Sequence, residues 1–146
     1  MSTKERLERI ILGTLLDTSG QQYHDECMIL SEDMFCNDTD RRIYGYIYQM
    51  LAKGKPTDVN SIFEELGEKV LDTLPYMLEL SMDYAFDILK VKKNDEIWKA
   101  NFIYGTDIPY QLETFNDYIN IFIKLVYKDE ERKREYDVAA VTPASR

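Results

Sequence analysis

A chain of 146 residues, 45% hydrophobic and 31% charged, carries apolar material for a single core and about one domain. Eighteen basic against twenty-seven acidic residues leave a net charge of −9, which repels a phosphate backbone, so direct nucleic-acid binding is expected to be weak or absent. No apolar run approaches the roughly 20 residues of a bilayer crossing, the N-terminus MSTKERLERI is polar where a signal peptide would be apolar, and two cysteines are too few for a disulfide framework; the chain reads as cytoplasmic, with reduced thiols.

In chain order, residues 4–18 form the first expected helix. Leu7, Ile11 and Leu15 recur at spacing four, and Ile10 and Leu12 widen the stripe. Gly13 costs up to about 1 kcal/mol against Ala in such a position, which points to close approach of a neighbouring helix. Residues 21–30 read as a shorter helix with Tyr23, Cys27 and Leu30 inward. Ser31-Glu32-Asp33 reads as a cap before a turn that inserts Met34 and Phe35 into the core.

The best-punctuated stretch follows. Ile43, Ile47, Met50 and Leu51 line one helical face, Asn37, Asp38 or Thr39 can supply the N-cap, and Gly54 and Pro56 end the helix. Asp58 or Thr57 caps the next helix, over residues 59–66, with Val59, Ile62, Phe63 and Leu66 on one face and Gly67 as its stop. Residues 71–85 read as a short, mostly buried helix with Pro75 in its first turn and Tyr76, Leu78, Leu80 and Met82 distributed around it. Residues 94–104 fit an extra helix placing Ile97, Trp98 and Phe102 on the body, with a hairpin turning at Asn94-Asp95 as the alternative. Over residues 114–134, Phe115, Tyr118, Ile119, Phe122, Leu125 and Val126 form a clean apolar stripe that ends in the charge run KDEERKRE. Residues 137–146 are small and polar and are expected to be unstructured.

Sites of chemistry are scarce. The chain contains no G-x-x-x-x-G-K-[ST], G-x-G-x-x-G or G-x-S-x-G sequence, and its glycines are scattered as turns and helix stops rather than gathered in a phosphate loop. His24 and Cys27 can share a helical face, but zinc wants four ligands and only Cys36 remains to help; His24 at the surface and Cys27 in the core is the expected arrangement. Carboxylate pairs such as Glu64-Glu65 read as solvated charge. Arg41-Arg42 and the Lys90 to Trp98 stretch are the places where charge and stacking could hold a single strand, with surface ion pairs as the plainer reading. Tyr44, Tyr46 and Tyr48 lie around one helix and cannot all face one core, and exposed Tyr and Trp favour protein interfaces. No catalytic residue, cofactor-binding residue or metal ligand is assigned. Tyr46, Trp98, Phe115, Tyr118 and Phe122 are the candidate partner-binding residues.

Phe35, Asp40-Arg41-Arg42-Ile43-Tyr44 and Gly54-x-Pro56-x-Asp58, together with Ile11-Leu12-Gly13-Thr14-Leu15-Leu16 upstream and Ile62-Phe63-Glu64-Glu65-Leu66 downstream, resemble the N-terminal domain of DnaB-type replicative helicases. The likeness covers residues 5–84 and returns weakly at 115–130. It implies an all-α, compact orthogonal bundle of about six helices with a longer C-terminal helix, divided into the bundle (1–86), a family-atypical insert (87–113), the first half of a hairpin-like element (114–136) and a tail or linker (137–146). In the family that last helix is half of a hairpin through which subunits pair into a collar above the motor ring. The resemblance therefore implies a non-catalytic replication scaffold without cofactors, whose partners are helicase subunits, primase or a helicase loader, with homodimerisation open. The alternatives are a primase-type helicase-binding domain, or a single-strand-binding accessory protein working through residues 90–98.

Overall fold

The C-terminal half of the first helix, residues 10–16, is buried on every side, and the fold is built around it. The computed structural model describes residues 2–17, 23–84 and 115–144. In α1 (Thr3–Asp17) Leu7, Ile10, Ile11, Leu12, Leu15 and Leu16 are all buried, as is Gly13 between them. A helix buried all round must be covered by neighbours on several sides, and those neighbours are α5 (Leu74–Asp83), α6 (Phe115–Ala144) and α3 (Asp38–Ala52), α5 most extensively. With α2 (His24–Cys27) and α4 (Val59–Leu66) this makes six α-helices among the described residues. They form an all-α fold, and no strand occurs among those residues.

The punctuation of α3 is the one its sequence predicts. Asn37 has extended backbone and its side chain accepts from the Asp40 amide at 2.7 Å, satisfying one of the donors that a helix start leaves unpaired. Ile43, Ile47, Met50 and Leu51 are buried. Gly54 takes φ +69°, a left-handed conformation that a Cβ would penalise, and the Lys55 amide donates back to the Met50 carbonyl at 2.9 Å. Asp58 then caps α4, accepting from the Ser61 amide at 3.3 Å and the Ser61 hydroxyl at 2.6 Å.

Aromatic rings tie α2, α3 and α6 together. Tyr23 packs on Phe115 with centroids 4.5 Å apart, and Phe35 sits between Tyr44 at 5.0 Å and Phe122 at 5.2 Å. Such pairs add about 0.5–1.5 kcal/mol each to their burial. The Tyr44 hydroxyl, buried in this ladder, donates to the carbonyls of Cys27 and Leu30 and so pins the short α2 segment to α3.

Four sequence expectations change. The second helix is a single turn, His24–Cys27, followed by a 3₁₀ turn at Glu32–Met34; Tyr44 binds the Cys27 and Leu30 carbonyls in place of a further helical turn. Phe63 is 41% exposed rather than inward, because α4 turns Val59, Ile62 and, in part, Leu66 to the core. The helix around Pro75 is not mostly buried: Met77 and Leu80 face α1, whereas Leu78 is 43% and Met82 73% exposed. The last helix continues past Arg134 to Ala144, through residues expected to be unstructured; the run KDEERKRE supports it with an Arg134–Glu130 pair one turn apart at 3.9 Å. The 87–113 insert, including Trp98 and the Lys90 to Trp98 stretch, lies outside the described residues.

Candidate interaction surface

Beneath the surface, α1, α3 and α5 are locked by charged groups rather than by apolar contact alone. Glu8 and Asp40 are 0% and 1% exposed. Glu8 Oε1 accepts from Lys4 Nζ at 3.1 Å and from the Cys36 amide at 2.7 Å, and Lys4 Nζ also donates to the Met34 carbonyl at 2.8 Å and lies 5.4 Å from the Phe122 ring centre. Asp40 accepts from the Tyr76 hydroxyl at 3.0 Å and from the Asn37 side-chain Nδ2 at 3.2 Å. Arg9 Nη1 donates to the Tyr84 hydroxyl at 3.1 Å, closing the end of α5 onto α1.

Burial pushes the Asp40 carboxyl above its ordinary value; the Tyr76 hydrogen bond works against that and the Glu8 charge adds to it. Lys4 is held above its ordinary value despite burial, because the Cys36 thiol and Glu8 favour its charged form. Two carboxylates this deeply enclosed meet no substrate. They clamp three helices in register, and they leave the outer faces of α3, α5 and α6 as rigid platforms.

The predicted partner residues divide on these platforms. Phe115, Tyr118 and Phe122 are 2%, 0% and 0% exposed, so the apolar stripe of α6 is spent on the body of the protein. An open dimerisation face over 115–126 is corrected by this placement, since the aromatic ladder through Phe35 and Tyr23 consumes it. Tyr46 is half-buried at the rim of α3; its hydroxyl donates to the Lys69 carbonyl at 3.3 Å and accepts from Arg42 Nη2 at 3.1 Å. Arg42 continues to Asp72, with nitrogens 2.9 and 3.1 Å from the two carboxylate oxygens, a two-point contact that holds Asp72 below its usual range. Arg41 donates to the Phe35 carbonyl at 2.8 Å and pairs with Asp38 at 3.3 Å. Both arginines are therefore engaged within the fold.

His24 faces solvent beside Asp25 at 3.2 Å while Cys27 is buried. Burial pushes the Cys27 thiol up to about 12. Among the described residues no three His, Cys, Asp or Glu side chains converge in a way that could hold a metal ion.

Past the body, Tyr127 of α6 is 57% exposed and residues 129–134 are all exposed, the solvated charge run that the sequence predicts. One surface feature escaped the sequence reading. It is the outer face of α5, where Leu78 and Met82 are 43% and 73% exposed and Pro75 is exposed one turn earlier, with Leu71 50% exposed in the turn before the helix. Its signal was present as offsets of three and seven from Pro75, hidden because Leu80 and Met77 fall among the same residues. No helix among the described residues is long and apolar enough to cross a membrane.

A family model described as the DnaB-like helicase N terminal domain matches residues 2–92, which spans α1 to α5 and every residue of the buried clamp. No curated protein and no solved structure matches the chain.

Proposed function

The chain belongs to the DnaB-like helicase N-terminal domain family, and from that premise we propose that it is a non-catalytic scaffold in DNA replication, which joins helicase subunits into a collar and docks primase or a helicase loader. The observation that carries this reading is the division of labour along α6. Its first three turns, Phe115 to Val126, pack on the core, residues 129–134 are exposed, and the helix runs on to Ala144. A helical extension of about 27 Å, at 1.5 Å per residue, is costly to maintain alone and is stabilised when a second helix pairs with it. Phe115, Tyr118 and Phe122 act in this scheme by aiming the extension, and Tyr46 presents an amphipathic ring to a docked partner.

Sedimentation velocity of the chain with the replicative helicase of the same source tests the pairing. Glu131→Pro breaks α6 beyond the body without touching a buried group. The chain should co-sediment with the helicase, and the E131P variant should not, while its thermal transition stays in place. Equal association of both proteins would contradict the pairing role of α6.

A further inference from the structure

The outer face of α5 has the layout of a helix-docking seam. Pro75, Leu78 and Met82 follow one another at spacings of three and four along the helix, the repeat that keeps one side turned toward a partner helix, and Leu71 lies in the turn just before it. All four are exposed, Met82 at 73%. The opposite side of the helix holds Met77 and Leu80 at 0% exposure against the body, so the seam is fixed in orientation rather than free to roll inward.

The charges beside the seam are one-sided. On a helix of 3.6 residues per turn, Glu79 and Asp83 fall along a single flank of the stripe; Glu68 and Asp72 precede the helix, and all four are exposed. The other flank carries Leu74 and Ser81 and no charge. Asp72 already has Arg42 as its partner, which leaves Glu79 and Asp83 to set the sign of the rail.

We propose that the seam of Pro75, Leu78 and Met82 on α5, with its acidic rail, is a docking site for a basic amphipathic helix of a partner protein. The inference rests on the protein-docking part of the scaffold reading and assigns that docking to one face. A second copy of this chain is a poor occupant, because it would bring the same acidic rail and a net charge of −9 onto a surface of like sign. A partner helix with apolar residues at heptad spacing and lysine or arginine along one edge covers the stripe and meets the rail together.

The test is an NMR titration of the full chain with a synthetic 18-residue helical peptide bearing leucines at heptad spacing and lysines beside them, and with the same peptide carrying glutamates in place of the lysines. The lysine peptide should bind saturably, with shifts centred on residues 71–83, and the glutamate peptide should not. Leu78→Ser with Met82→Ser should weaken binding at least about tenfold, as expected for two lost apolar contacts, and Glu79→Lys with Asp83→Lys should weaken it and flatten its salt dependence. Shifts scattered over the acidic surface, equal binding of the glutamate peptide, or full affinity in the serine variant would overturn the proposal. Self-association of the chain that the serine substitutions abolish would overturn it in favour of a second copy. Because these substitutions lie off α6, helicase co-sedimentation should be unchanged by them, so loss of the seam and loss of the α6 pairing are separate results.

Discussion

The Thr57 hydroxyl donates to the main-chain carbonyl of Leu15 at 2.6 Å, across forty-two positions of sequence. Leu15 lies in the last turn of α1, where carbonyls lack an intrahelical donor, and Thr57 is fully buried between Pro56 and the Asp58 cap. The turn that ends α3 thus also finishes the central helix. Thr57→Val keeps the shape and removes the donor, and should cost about 1–3 kcal/mol in urea unfolding. Thr57→Ser should recover most of it. A valine variant as stable as the parent would show that the bond contributes nothing.

Asp40 gives the fold a pH dependence of definite sign. Its carboxyl is raised above 3.8 by burial, the Tyr76 bond opposing and Glu8 reinforcing that shift. Between 3.8 and the raised value, the folded state keeps a proton that the unfolded chain has released, so stability is lost as pH rises through that window. Asp40→Asn removes the titration while leaving a carbonyl oxygen for Tyr76. The stability of the wild type relative to the variant should therefore fall from pH 4 toward neutral and then level off. A flat or rising difference would refute the assignment.

The two cysteines should separate cleanly in thiol titration. Cys27 is buried with its thiol pushed up to about 12, whereas Cys36 is exposed, its thiol raised by partial burial with Lys4 Nζ, 3.1 Å away, opposing that shift. Native protein should release one equivalent from an aromatic disulfide reagent promptly, and the second only in denaturant. Prompt release of both would mean that α2 opens readily, against the hold that Tyr44 has on the Cys27 and Leu30 carbonyls.

The all-α fold, the caps of α3 and α4 and the family resemblance were all legible in the chain, because each rests on local chemistry: Asn37 and Asp58 accept from amides three residues on, and Gly54 sits where φ is positive. What escaped was set by tertiary neighbours. Tyr118 and Phe122 have the look of interface aromatics until the placement of Phe35 claims Phe122. Leu78 and Met82 look like core residues until α1 turns out to take Met77 and Leu80. The buried charges Glu8 and Asp40 gave no periodic signal, since a carboxylate at a core position reads as a solvated one until its partners Lys4 and Tyr76 are placed.

The central claim is that this chain docks replication proteins rather than catalysing a reaction. A calorimetric titration against the helicase-interacting domain of primase from the same source tests it most directly. The account predicts saturable binding that weakens when Tyr46 is replaced by alanine. No heat of binding at high micromolar concentrations of primase, helicase and loader alike would contradict it.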